Sequence, residues 1–178
     1  MAGTLNWLGA VQDQGFAIIR DVLRPSDFNP LMAILNDPAI QRSRAGVRHA
    51  MRFSCVRELA ADDRLLGVAR EVLGKDALPF KATVFDKSST ANWLVVWHQD
   101  TALPLKHRHD TPEWGPWSVK DGIPYAHAPA SALNRVLALR VHLDDSTSAN
   151  GPLRVLPGTH VHGVLTDEAR PFNGHWLD

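Results

Sequence analysis

The stretch that decides the predicted fold is NWLVVWHQD, residues 92–100. Its apolar and aromatic run over 93–97 predicts a β-strand over 93–100. Side chains alternate between the two faces of a strand, so His98 and Asp100 share one face with Leu94 and Val96. We therefore expect the imidazole of His98 and the carboxylate of Asp100 to converge at the end of this strand.

A histidine and an aspartate in this arrangement can fill two adjacent positions on one divalent metal ion. When a second histidine joins them, they form the facial triad of non-haem Fe(II) oxygenases, which leaves positions open for other ligands. The triplet His98-Gln99-Asp100 is short, and the alternative is a structural hydrogen bond between His98 and Asp100 at the strand end.

A second predicted strand, VLALRVHL at residues 136–143, has two unlike faces once Asp144 is added. One face is wholly apolar, and the other carries Arg140, His142 and Asp144. If the apolar face packs on the core, the charged face either points into solvent or lines a polar cavity that also receives His98 and Asp100. In a cavity, these charges would need partners or a ligand.

The rest of the chain predicts helices first and strands afterwards. We expect a short strand at 15–19 and then a helix that begins at Ser26 and stops at Asp37-Pro38. We expect a longer helix over 57–73, with Gly74 as its C-cap. Further strands are expected at 80–85 and 153–156, and the proline-rich stretch 101–134 is expected to be a long functional loop. This order favours an α+β fold with a sandwich or jelly-roll core backed by N-terminal helices.

The amino-acid composition of the chain excludes several classes of function. The 178 residues are 44% hydrophobic and 21% charged, which is typical of one globular domain. Nineteen Lys plus Arg balance nineteen Asp plus Glu, so net charge attracts neither nucleic acid nor anionic lipid. No apolar run approaches the roughly 20 residues of a membrane span, and the single cysteine, Cys55, excludes an internal disulfide. We expect a cytoplasmic protein.

Three segments in order resemble a known family: His98-Gln99-Asp100, GPWSVKDG at 115–122, and DDSTSANGPLRVLPGTH at 144–160. Together they look like the phytanoyl-CoA dioxygenase family of Fe(II)- and 2-oxoglutarate-dependent oxygenases. The similarity runs from about residue 15 to about residue 165. It implies a single domain over 1–178 with a double-stranded β-helix, that is, a jelly roll whose mouth holds the metal.

The resemblance also implies roles for individual residues. His98 and Asp100 match the first two Fe(II) ligands. Gln99, between them, and Arg140, on the following predicted strand, match positions that approach the cosubstrate 2-oxoglutarate. The expected activity is hydroxylation of a small organic substrate.

The sequence departs from the family pattern near its C-terminus. Family members take a third ligand, a histidine, and then an arginine from a late strand, and we expect both beyond Asp178, with the closing strands. His160 and Arg170 mimic the spacing, but the Pro-Gly turn before His160 favours a loop-capping hydrogen bond. Two alternatives stay open: a non-catalytic jelly-roll fragment or binding module, and a metal-dependent enzyme that uses His160 without 2-oxoglutarate.

Overall fold

The computed structural model describes residues 6–43, 46–85, 97–109, 111–147 and 152–165. The helices are α1 (Trp7–Gln14), α2 (Asn29–Leu35), α3 (Ser54–Ala60), α4 (Asp63–Leu73) and α5 (Ala130–Leu133), with 3-10 turns at Pro25–Phe28, Ala50–Arg52 and Thr159–His162. The strands are β1 (Ala102–Pro104), β2 (Trp117–Lys120) and β3 (Ile123–His127). The predicted α+β class is confirmed, and in the described ranges its β-part is one small antiparallel sheet.

Helix α1 lies immediately before the strand that the sequence predicted at 15–19. The side chain of Asn6 accepts a hydrogen bond of 2.9 Å from the Gly9 N–H at the helix start, and Gly15 ends the helix with a left-handed φ of 83°. The strand predicted at 15–19 is wrong, because this segment has no hydrogen-bonded strand partner among the described residues.

The sequence predicted one long helix over 57–73, but the structure has two helices there, α3 and α4. The prediction of a single continuous helix is therefore wrong. Asp62 has an extended backbone and caps α4, its side chain accepting a hydrogen bond from the Arg64 N–H. The same Asp62 side chain also pairs with the Arg64 guanidinium, at 2.7 and 2.8 Å, and Arg64 reaches Asp27 at 2.7 Å. These hydrogen bonds from Arg64 lower the pKa of Asp62 to about 2. Gly74 follows α4 as predicted.

The three-stranded sheet has the order β1-β3-β2, with both pairs antiparallel. Strands β2 and β3 form a hairpin closed by the pair Lys120–Ile123. The two turn residues, Asp121 (φ 50°) and Gly122 (φ 79°), both have positive φ, as a type I′ turn requires. The long loop predicted over 101–134 is therefore wrong: this stretch contains the three strands of the described sheet and α5.

The prolines that made this stretch resemble a loop lie where the sheet tolerates them. Pro104 is the last residue of β1, which is an edge strand. Beyond it, the Leu105 N–H donates to the Pro124 carbonyl at 2.9 Å, but Pro124 has no N–H to return the bond. The pairing of β1 with β3 ends at this point.

The strands predicted at 80–85, 136–143 and 153–156 are not formed. Residues 136–143 and 153–156 have no strand pairing, and within 80–85 only Val84 pairs, in an isolated bridge with Val47. Residues 93–96 of the strand predicted at 93–100 lie outside the described residues, and 97–100 are not paired. An extended segment becomes a strand only where a neighbour supplies hydrogen bonds, which alternation of side chains cannot guarantee.

The main apolar cluster joins α2 to α3. Leu31, Ala50 and Val56 are buried at its centre, and partly buried side chains pack around them, including Cys55, Val84 and Leu143. Leu143 thus reaches the core, as the apolar face predicted for 136–143 required, while Leu139 of that face is 41% exposed. No helix of the described segments is long and apolar enough to cross a membrane.

Candidate metal centre

The segment that carries the candidate ligands is anchored at its C-terminal end by Thr101. Thr101 is 8% exposed, and its Oγ1 lies 2.7 Å from Nδ1 of His127 on β3. The Thr101 carbonyl accepts a hydrogen bond of 2.9 Å from the Ala128 N–H. The residues immediately before Thr101, including Asp100, are therefore held against one end of the sheet.

His98 and Asp100 lie close together. His98 Nε2 is 3.7 Å from Asp100 Oδ1, and the two side chains are 53% and 94% exposed. Two donor atoms each roughly 2.1 Å from one ion can be at most about 4.2 Å apart, so this pair is within reach of a single divalent cation. The donor set, one imidazole and one carboxylate, also fits Fe(II). The described structure leaves both side chains on a solvent-exposed surface.

Gln99, between these two residues, binds the backbone of a distant segment. Its Nε2 donates to the Gly163 carbonyl at 2.8 Å, and its Oε1 accepts from the Leu165 N–H at 2.7 Å. We call this two-bond contact the Gln99 clamp. It joins the candidate ligand segment to the chain that follows the Pro-Gly-Thr-His turn, a role that the sequence pattern did not indicate.

Arg140 lies in the unpaired segment that replaces the second predicted strand, and its side chain is exposed. Among the described residues it makes no hydrogen bond or ion pair. His142 and Asp144 are exposed as well. The structure therefore assigns these three side chains to an exposed segment rather than to a sheet face.

His160 binds the end of α1. Its Nε2 lies 3.0 Å from the Gln12 carbonyl, and because a carbonyl only accepts, this nitrogen carries the proton. The adjacent Gly158 N–H donates to the Gln14 carbonyl at 2.8 Å. The sequence predicted a hydrogen bond that caps the loop of His160 itself, whereas the observed bond joins His160 to the Gln12 carbonyl of α1.

The other histidines do not extend the candidate site. His107 and His109 are exposed, with ring centroids 6.3 Å apart, and His162 is exposed on its 3-10 turn. Across the described parts of the chain, no group of three His, Cys, Asp or Glu side chains could hold a metal. Arg170 and His175 lie outside the described residues.

Sequence reasoning missed the Thr101–His127 contact and the hairpin that presents it. The available signal was Asp121-Gly122 between two runs of strand-forming residues, which is the strongest short-range indication of a hairpin. Recognising it would have placed β3, and His127 with it, beside the candidate ligand segment.

The class of protein follows from comparison with known sequences. The chain belongs to the phytanoyl-CoA dioxygenase (PhyH) family, which it matches over residues 11–175. The resemblance stated from the His-Gln-Asp and Pro-Gly-Thr-His segments is thereby confirmed.

Individual relatives make the similarity more specific. The chain is 30% identical to ectoine dioxygenase of Stutzerimonas stutzeri over 115 residues, 65% of this chain and 31% of the relative. It is 33% identical to L-proline trans-4-hydroxylase of Streptomyces griseoviridis over 107 residues, 60% of this chain and 32% of the relative. Ectoine dioxygenase of Nocardia farcinica is 25% identical over 169 residues, 86% of this chain and 50% of the relative. The chain spans between about a third and half the length of these relatives. No solved structure matches it significantly.

Proposed function

We propose that this chain is an Fe(II)- and 2-oxoglutarate-dependent oxygenase that hydroxylates a small organic molecule. The observation that carries the proposal is the His98–Asp100 pair, with donor atoms 3.7 Å apart, in a chain of the PhyH family. The relatives named for activity on ectoine and L-proline support a small-molecule substrate. The proposed domain covers 1–178 and has the double-stranded β-helix of the family; a cytoplasmic location stays a prediction.

In this proposal, His98 Nε2 and Asp100 Oδ1 hold the metal. When bound, Fe(II) and 2-oxoglutarate supply the oxidising chemistry of the reaction. The Asp100 carboxylate is 94% exposed, so water competes for it. Because the described residues supply no third ligand beside this pair, we expect weak metal binding. The function of His98 and Asp100 is to place the ion beside Thr101 and the sheet.

Gln99 and Arg140 are proposed to contact 2-oxoglutarate. The Gln99 amide has one further N–H and one further oxygen lone pair after both bonds of the Gln99 clamp are made. Arg140 is an exposed cation whose planar guanidinium suits a carboxylate. Both residues can therefore bind a dicarboxylate without losing a described hydrogen bond.

The test is anaerobic titration with Fe(II), followed by measurement of succinate formed from 2-oxoglutarate in air. His98→Ala and Asp100→Ala are expected to abolish saturable Fe(II) binding and any succinate formation. His107→Ala is the matched control, because His107 is also an exposed histidine but makes only a ring contact with His109. Equal Fe(II) binding by His98→Ala and the unsubstituted chain would contradict the proposal.

A second candidate is a non-catalytic binding module of the same family. The observation that favours it is the absence, in the described segments, of a third metal ligand beside His98 and Asp100. If the unsubstituted chain shows no saturable Fe(II) binding, this candidate replaces the oxygenase.

The alternative that uses His160 as a ligand is disfavoured by its contacts. His160 Nε2 is occupied by the Gln12 carbonyl, and the imidazole packs on Gly15 at the end of α1. We expect His160→Ala to lower the stability of the protein and to leave Fe(II) binding unchanged.

A further inference from the structure

The chain's only tyrosine, Tyr125, lies in β3 and is 5% exposed. Two ammonium groups lie near its ring: Lys120 Nζ is 4.7 Å and Lys81 Nζ 5.8 Å from the ring centroid. The ring of His49 is also close, at 6.0 Å between centroids. A buried aromatic ring with two lysines beside it is an unusual concentration of positive charge for a chain of zero net charge.

Backbone pairing from three separate segments brings these side chains together. Tyr125 is paired with Ser118 of β2, so Lys120, two residues further on, projects from the same face of the sheet. Val47 pairs with Val84, and the Ala50 N–H donates to the Ala82 carbonyl at 2.9 Å. That pairing brings the segment with His49 beside the segment with Lys81.

His49 is held in place on this surface. Its backbone is in the left-handed region, at φ 51° and ψ 40°, which residues other than glycine rarely adopt. Its Nε2 lies 3.2 Å from the Lys120 carbonyl and therefore carries the proton. The imidazole thus ties the His49 segment to the β2–β3 hairpin.

The charges around Tyr125 do not balance. Two ammonium groups lie beside the ring, and Arg48 directly precedes His49 in the chain. Asp121 is 66% exposed and lies 3.7 Å from His49 Nε2. Burial, opposed by Arg48 and assisted by Asp121, raises the pKa of Tyr125, so the phenol is neutral at physiological pH and offsets none of the positive charge. In the described segments, no carboxylate pairs with Lys81, Lys120 or Arg48.

We propose that Lys81 and Lys120 form an anion-binding site beside Tyr125, which takes a carboxylate or phosphate group of a small molecule. The aromatic ring attracts the ammonium groups through its face and uses none of their N–H donors, so the donors stay available for an anion. A bound anion would also relieve the repulsion between like charges held close to one ring. This site does not depend on the proposed oxygenase activity.

The test uses the single tyrosine as its probe. Selective ¹³C labelling of tyrosine gives one set of ring signals, from Tyr125 alone, and these are followed by NMR as inorganic phosphate or succinate replaces chloride at constant ionic strength. We expect a saturable shift with at least one of the two anions. In the double variant Lys81→Gln/Lys120→Gln, the affinity should fall at least about tenfold, because two charged donors are lost.

Two further variants control for general effects of charge. Lys75→Gln removes an exposed lysine after α4 that makes none of the described ring contacts with Tyr125, and this variant should bind as the unsubstituted chain does. Lys120→Arg keeps the charge and should keep the affinity. Saturation by phosphate alone indicates a phosphorylated ligand, by succinate alone a carboxylate, and by both a general anion site. No saturable shift with either anion, or equal affinity in the double variant, would overturn the proposal.

Discussion

Replacing Gln99 by leucine removes both hydrogen bonds of the Gln99 clamp while keeping most of the side-chain volume. The bonds to the Gly163 carbonyl and the Leu165 N–H are 2.8 and 2.7 Å long. Each neutral hydrogen bond contributes about 0.5–1.5 kcal/mol net. Gln99 is exposed, so water can reach the freed backbone groups, and we expect a total loss of about 1–2 kcal/mol.

The loss is measured as the free energy of unfolding in urea, monitored by tryptophan fluorescence. With a slope of about 2 kcal/mol per molar urea, the midpoint should fall by roughly 0.5–1 M. Gln99→Glu should give an intermediate loss, because a carboxylate still accepts from the Leu165 N–H but cannot donate to the Gly163 carbonyl. Gln41→Leu is the matched control, since Gln41 is an exposed glutamine whose side chain makes none of the described hydrogen bonds. If Gln99→Leu and Gln41→Leu unfold at the same urea concentration, the clamp contributes nothing and the reasoning fails.

Two further predictions concern the ends of helices. Gly15→Ala should lower the free energy of unfolding by more than the about 1–2 kcal/mol of a left-handed alanine, because an added Cβ would lie 2.6 Å from His160 Nδ1. Gly122→Ala, with a φ of 79° but nothing within 4 Å of the added carbon, should show the backbone cost alone, and an equal loss in the two variants would contradict the contact. Arg64→Ala removes the ion pair between Arg64 and Asp62, and the loss of stability should be largest above pH 3.8, the ordinary pKa of Asp62. The loss should become smaller as the pH falls toward about 2, the pKa of Asp62 in the folded protein, because protonation of Asp62 also removes the ion pair. Urea midpoints at pH 6 and pH 2.5 check this; a destabilisation that is the same at both pH values would count against the ion pair.

Local chemistry explains which parts of the fold could be predicted from the sequence. Gly74 ends α4 as predicted because a glycine after a helix tolerates the backbone that terminates it. The break at Asp62 and the turn at Asp121-Gly122 carry equally local signals, a capping side chain and a type I′ dipeptide. The helical spacing of apolar residues continues across Asp62 and therefore predicts one helix. Prolines surround Asp121-Gly122 and therefore predict a loop.

Strand positions were harder to predict, because pairing is a property of two segments. Residues 136–143 alternate cleanly, yet no described segment lies beside them to form a ladder. Residues 102–104 have no distinctive pattern, yet β3 lies alongside and they become β1. Side-chain alternation describes how one segment could be buried, whereas hydrogen bonding requires a partner at 4.7–4.9 Å, a spacing general to β-sheets.

The candidate site also combines features that the sequence determines with features that depend on tertiary contacts. The sequence by itself determined the family and the separation of His98 from Asp100 by one residue, because both depend on the order of residues along the chain. It also determined the zero net charge, which depends on composition alone. Only the tertiary structure decided that Gln99 clamps the segment after the Pro-Gly-Thr-His turn and that His160 caps α1. It alone gathered Lys81, Lys120 and Tyr125 into one cluster. These contacts join residues far apart along the chain, and their distances depend on how the helices and the sheet pack, which no local pattern specifies.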